Sequence, residues 1–185
     1  MTNERIKEML NENGYRNTES ILNEWNYIKN WEDKFIYSIN TIIGMKGAAF
    51  TMACMSAAQQ SSIDMLMYYD TMPSPFCGVF DFYIYKPLKG YYPFKWYGMF
   101  YDMDAEIKCE TKLDNIYTLC GIGKDNKTLT VITHYSDNDE AEPQCFSVDF
   151  GRSGDYEVYL LDNKHDAELI KQTSDLSFTL KVNTA

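Results

Sequence analysis

Basic charge is scarce in this sequence of 185 residues: 17 Lys and Arg stand against 27 Asp and Glu, a formal net charge of -10. An acidic surface repels phosphate backbones, so nucleic acid is not expected as a partner. Histidine is scarcer still. His134 and His165 are the 2 present, and neither has a second His at helical spacing or a carboxylate cluster beside it, so no metal site is expected. Asp125, Asp137 and Asp139 lack the spacing, the Gly and the terminal Glu of a calcium loop, and read as solvated turns. The 5 cysteines, Cys54, Cys77, Cys109, Cys120 and Cys145, are odd in number and form no C-x-x-C pair. That pattern argues against a zinc knuckle or a disulfide framework and leads us to expect reduced thiols and a cytoplasmic location. No Gly-rich phosphate loop is present, and no cofactor is expected. The residues after Met1 contain no apolar core of a signal peptide. No apolar run has the length needed to cross a bilayer, so no membrane partner is expected.

Aromatic residues, by contrast, are abundant: they make up 15% of the chain, with 15 Tyr, in a sequence that is 45% hydrophobic. Composition fits a Tyr-rich core, and it also fits rings offered to a sugar.

Periodicity divides the chain near Met103 and Asp104, giving an expected first region of residues 1–103 and a second of residues 104–185. Ile6, Met9 and Leu10 recur at helical spacing, with Thr2 as a cap, Glu4 in the first turn and Gly14 as a stop. Ser20-Ile21-Leu22 reads as a short buried strand running into Asn23-Glu24-Trp25-Asn26. Asn30, Glu32 and Asp33 open a helix carried by Phe35, Ile36, Ile39, Ile42 and Ile43. Small residues from Gly47 to Ala58 let a helix back closely onto a sheet. Ile63 to Met67 reads as a second strand, and Gly90 to Met103 as a third helix with Pro93 in its first turn. Alternation of helix and strand is the pattern of an α/β protein with a parallel sheet.

After Asp104 the period changes to two. Ile116 to Ile122, Thr128 to Thr133, Cys145 to Phe150, Tyr156 to Leu161 and Leu176 to Val182 read as strands separated by turn-forming clusters, which predicts an antiparallel β-sandwich.

Several segments resemble the end of a glycosidase (β/α)8 barrel: Ile21-Leu22-Asn23-Glu24-Trp25-Asn26, Gly44-Met45-Lys46-Gly47-Ala48-Ala49-Phe50 and Ile63-Asp64-Met65-Leu66-Met67-Tyr68-Tyr69-Asp70. Gly78-Val79-Phe80-Asp81-Phe82 and Lys86-Pro87-Leu88-Lys89-Gly90-Tyr91-Tyr92 extend the likeness, and Tyr156 to Asp162 with Lys164-His165-Asp166 resemble late strands of the sandwich that follows such barrels. The set is similar to β-xylosidases and their relatives in glycoside hydrolase family 39. The resemblance implies an α/β plus all-β fold, the partial C-terminal portion of a (β/α)8 barrel followed by an antiparallel β-sandwich. On it the chain begins at the sixth barrel helix, and both ends suggest a fragment.

The resemblance places Glu24 at the end of the seventh strand, as the nucleophile of a retaining glycosidase, and Tyr69 and Asp70 at the end of the eighth, where active sites of such barrels gather. Asn23-Glu24 also looks like the fourth-strand Asn-Glu pair of this clan. Only one further strand–helix unit follows before the β-rich region, which favours the seventh-strand assignment. Trp25, Asn26, Tyr69, Asp70 and Phe80 are the expected substrate contacts, and a xyloside-like carbohydrate the expected partner. A retaining enzyme needs a second carboxyl about 5–5.5 Å from the first. Its position falls in the absent strands, so the chain is expected to be catalytically incomplete and either to self-associate or to pair with a missing N-terminal barrel fragment. An alternative is a non-catalytic accessory or carbohydrate-binding role, with Tyr117, Tyr135, Tyr156 and Tyr159 as an aromatic row on the sandwich.

Overall fold

The structure is a computed structural model that describes residues 2–175 and 177–182. The Thr2 side chain, expected to cap the first helix, and Leu176, expected to open the last strand, lie outside the described residues.

Helix α1 (Thr2–Glu12) ends as its Gly predicts. Gly14 takes φ +88°, and the amides of Gly14 and Tyr15 close back on the carbonyls of Asn11 and Leu10 at 3.1 and 2.8 Å. This paired closure satisfies carbonyls that the helix leaves open. Strand β1 (Ile21–Trp25) follows and pairs in parallel with β2 (Met65–Tyr68). Between them run α2 (Phe35–Ile43) and α3 (Met45–Gln59), bent 76° apart at Gly44. The sequence reading opens α2 at Asn30. In the structure Asn30 instead organises the preceding turn, its Oδ1 accepting from the amides of Glu32 and Lys34 at 3.0 and 2.9 Å, and the helix starts at Phe35. The bend has a steric requirement at Gly47, where a Cβ would lie 2.3 Å from the Thr41 carbonyl and 2.8 Å from the Ile42 backbone.

After β2 a long loop leads to α4 (Tyr91–Gly98), a 3-10 turn (Met99–Asp102) and then strands only. Strand β3 (Ala105–Glu106) pairs with β4 (Ile116–Ile122), which pairs with β5 (Thr128–His134). Strands β6 (Gln144–Asp149) and β9 (Ser177–Val182) form a second antiparallel sheet, and β7 (Tyr156–Leu161) and β8 (Asp166–Thr173) a third. The fold is thus mixed helix and small sheets. No barrel closes among the described residues, because the parallel sheet has two strands. Among the described residues the β-rich region forms three small antiparallel sheets.

Helix α3 sits at the centre. It buries Lys46, Ala48, Ala49, Thr51, Met52, Ala53, Met55 and Ser56, nearly its whole circumference, which its small residues permit. Met52 and Met55 pack with Leu119 of β4 and Val131 of β5, and Trp25, Phe94, Trp96, Tyr97 and Phe100 close over the cluster. The expected boundary near Met103 therefore crosses one continuous core. The parallel pair itself is partly uncovered: Ile21, Leu22, Met65 and Met67 are 45–47% exposed.

Candidate active site

The C-terminal ends of β1 and β2 meet in a small polar arrangement. Leu22 pairs with Leu66 and Trp25 with Tyr68, so β1 carries one more residue than β2 over that interval. The bulge falls at Asn23 and Glu24, and bulges of this kind re-aim side chains at strand ends. Glu24 is exposed, and among the described residues nothing hydrogen-bonds to its carboxylate. Asn26 is fully engaged: its Nδ2 donates to the Tyr69 carbonyl at 2.5 Å, and its Oδ1 accepts from the Tyr68 hydroxyl at 3.0 Å and the Tyr27 amide at 2.7 Å. The Tyr69 amide donates to the Trp25 carbonyl at 3.1 Å. Asn26 thereby ties the end of one strand to the end of the other. The Tyr69–Asp70 peptide is cis. Burial pushes the Tyr68 phenol up to about 12, so its hydroxyl stays protonated and donates.

The expected contact residues divide into two groups. Asn26, Tyr69 and Asp70 gather with Glu24 at one end of the parallel pair, with Tyr69 exposed and Asp70 half-buried. Asp70 Oδ1 accepts from the Met72 amide at 3.1 Å and so fixes the start of the following loop. Trp25 and Phe80 turn their rings into packing. Trp25 stands edge-on to Tyr68 at 5.1 Å and near Phe50 at 6.2 Å, and Phe80 lies 5.3 Å from Tyr91. Asp81 also serves a turn, its Oδ1 accepting from the amides of Tyr83 and Ile84 at 2.8 and 2.9 Å. The four tyrosines offered as an aromatic row are differently employed: Tyr117 is half-buried on β4 opposite Thr133, Tyr135 packs on Phe50, Tyr156 stacks on Phe150 at 3.6 Å, and Tyr159 bonds Glu157.

Sequence reasoning missed a second polar centre. Asp137 and Asp139 lie in an exposed bend and turn after β5, as expected, but their carboxylates are also bonded by cations and hydroxyls. Lys46, buried at the start of α3, reaches the Asp137 carbonyl at 2.6 Å, Asp139 Oδ1 at 2.8 Å and the Tyr37 hydroxyl at 2.9 Å. Tyr27 donates to Asp137 Oδ1 at 2.6 Å, Tyr37 to Asp139 Oδ1 at 2.7 Å, and Lys29 to Asp137 Oδ2 at 3.2 Å. Burial alone would lower the Lys46 ammonium, but its bonds to Asp139 and Tyr37 outweigh it and the net shift is upward. The Tyr27 hydroxyl and Lys29 hold Asp137 below the usual carboxylate range, and Lys46 and Tyr37 do the same for Asp139. The signal available in the sequence was a single lysine heading a run of small apolar residues. A cation there must be paired once buried. The network joins the helices to the loop after β5, and each of these groups already has its partners, so it reads as a fastening between segments of the chain. Among the described residues no group of three or more His, Cys, Asp or Glu could hold a metal ion, and no single helix is long and apolar enough to cross a membrane.

Neither the family models nor the curated proteins contain a match to this chain. Among solved structures, the chain is similar to a glucosidase from Croceicoccus marinus, with a TM-score of 0.60 at 16% sequence identity over 97% of this chain. The chain spans 46% of that glucosidase, a little under half its length. At this identity the likeness concerns the fold.

Proposed function

We propose that this chain is the C-terminal portion of a retaining β-glycosidase, with Glu24 in the position of the nucleophile and Asn26, Tyr69 and Asp70 beside it on the substrate side. The observation that carries the reading is the open parallel pair. Parallel sheets occur with both faces covered, and two strands with exposed apolar side chains and free edges are not a finished sheet. A (β/α)8 barrel has eight such strands, and the glucosidase likeness supplies the context in which these two would be completed. We place the joint between a barrel-derived region, residues 1–103, and the β-rich region, residues 104–185, and read the latter as sandwich-derived. The β-xylosidase resemblance favours a xyloside-like substrate. Five free thiols favour a cytoplasmic location.

Glu24 at a strand end with a free carboxylate is suited to attack an anomeric carbon. Hydrolysis with retention also requires an acid about 5–5.5 Å away to protonate the leaving oxygen and later deprotonate water. Asp70 and Asp81 are held by turn amides, and on the family resemblance the acid belongs to earlier barrel strands, so a polypeptide carrying those strands would supply it. The test is an assay on aryl β-glycosides, alone and mixed with a polypeptide carrying the earlier barrel units of a related glycosidase. The expected result is no turnover alone, turnover in the mixture, and loss of that turnover with Glu24→Gln. Turnover that survives Glu24→Gln would overturn the assignment.

A further inference from the structure

A shallow groove of about 290 Å³ opens where three segments of the chain converge: α2 with the start of α3, the loop after β5, and the turn between β7 and β8. Asn40 reaches it from α2, Asp139 from the loop and Asn163 from the turn. Asn40 and Asn163 are exposed, and among the described residues neither side-chain amide has a hydrogen-bond partner. Asp139 spends only Oδ1 on the Lys46 network, accepting from Lys46 and Tyr37 at 2.8 and 2.7 Å, and leaves Oδ2 open. Tyr37 and Met45 supply the apolar part of the wall. The walls are held in place. Lys46 binds the loop to α3, and Lys89 grips the carbonyls of Asp162 and His165, on either side of Asn163 in the turn, at 2.6 and 3.1 Å. Inside that turn Asp162 Oδ1 accepts from the amides of Lys164 and His165, both at 2.8 Å.

Charge selects the class of ligand. Lys29 and Lys46 stand against Asp137 and Asp139, so the network beside the groove is neutral as a whole. An anion would meet the open oxygen of Asp139, and a cation the ammonium of Lys46. Two amides that each donate and accept, one free acceptor oxygen and a partly apolar wall suit a neutral ligand with several hydroxyls. The volume lies just below the range of about 300–1,000 Å³ that drug-sized ligands occupy, so the groove takes one ring rather than a chain of them. We propose that it is a non-catalytic binding site for one residue of a neutral saccharide, hydrogen-bonded by Asn40, Asp139 and Asn163. It shares no lining residue with the Glu24 end and does not depend on the role proposed for Glu24.

The test uses the full chain and saturation-transfer NMR, with glucose and xylose as the probes. At least one of the two should give a saturable signal. Asn40→Ala and Asn163→Ala should each weaken its Kd about tenfold, as expected for the loss of a hydrogen-bonding amide. Both variants should keep the far-UV circular dichroism and the urea midpoint of the parent, because neither side chain bonds within the described chain. Calcium and inorganic phosphate should leave the sugar signal unchanged. No saturable signal from either sugar would overturn the proposal. So would a signal that both substitutions leave intact, which would put the sugar elsewhere, or displacement of the sugar by calcium or phosphate, which would make the groove an ion site.

Discussion

The surroundings of α3 and the strands after Ser136 are held together by different physics. Around α3, side chains from β1, α4, β4 and β5 interlock, and the buried residues form a dry core. Beyond Ser136, leaving aside Phe146, Phe178 and residues 180–182, of whose side chains nothing is described, no described residue is buried. There β6 and β9, and β7 and β8, are joined by backbone ladders, by polar pairs such as Ser147 with Thr179 at 2.9 Å, and by the stacked rings of Phe150 and Tyr156. Ladders alone contribute little net stability in water, since each strand could bond to solvent instead. Two lysines, and Arg152 through the Asn126 carbonyl, fasten parts of this region to the rest. Lys89, in the loop before α4, donates to the carbonyls of Asp162 and His165 at 2.6 and 3.1 Å and to Asp166 at 2.7 Å, gripping the β7–β8 turn. Lys46 does the same for the loop after β5. Packing organises one region, and point fastenings organise the other.

The sharpest way to break this comparison is a matched pair of leucine truncations. Leu119→Ala removes a side chain that is 4% exposed from the cluster around α3, and should cost about 2–5 kcal/mol in urea unfolding. Leu169→Ala on β8 removes one that is 45% exposed and should cost less than about 1 kcal/mol. Equal costs would show that the outer sheets share the core after all.

Lys46→Met tests the first fastening. It leaves Asp137 and Asp139 without their buried cation, and since both carboxylates keep solvent access the expected loss is about 1–3 kcal/mol rather than the full cost of an orphaned buried charge. The pH dependence gives a sign. Both carboxylates titrate below their ordinary value when folded, so the folded state holds fewer protons than the unfolded one in that range. Their contribution is complete above the usual Asp value near pH ~4 and is lost as pH falls through their lowered native values. Lys46, raised when folded, contributes fully below its unfolded value and loses its share only as strongly alkaline pH is reached. The acid-side slope of stability should flatten in Lys46→Met.

Lys89→Met should cost less, about 1–2 kcal/mol, and should act locally. Amide exchange in β7 and β8 should quicken while that of β4 and β5 does not change. Uniform quickening across all four strands would mean that the hairpin and the core open as one unit.

The same contrast explains what could be read from the sequence. The strand readings of Ile116–Ile122 and Tyr156–Leu161 fall at the residues where β4 and β7 run; exposed and half-buried residues alternate along most of β7, whereas β4 is buried or half-buried along its whole length. Helix α3 was legible from its small residues, which are what close packing on several sides demands. Strand β8 was read only at its first residue, since Glu168 to Gln172 has no alternation in burial to betray it. Nor could sequence show which strands pair: β6, ending at Asp149, joins β9, which begins only at Ser177, with β7 and β8 between them. At the candidate site it was the family resemblance, and not the order of residues, that implied a place for Glu24, Tyr69 and Asp70 at strand ends. It could not show that Trp25, next to Glu24 in the chain, belongs to the core. The Lys46 network was hidden because its partners lie about ninety residues apart.

The smallest effect is expected where the chemistry is proposed. Glu24 is exposed, makes no hydrogen bond among the described residues, and sits at a bulge that the backbone of β1 and β2 defines without it. Glu24→Gln should therefore shift the urea midpoint by no more than about 0.5 kcal/mol. Asn26→Ala removes the amide that joins the two strand ends, and should cost about 1 kcal/mol or more. A carboxylate that the fold does not use, held beside an amide that it does, is the division expected of a catalytic group on a structural mount. If Glu24→Gln destabilised the chain as much as Asn26→Ala, the carboxylate would belong to the fastening of the strands, and its place in the proposed reaction would be lost.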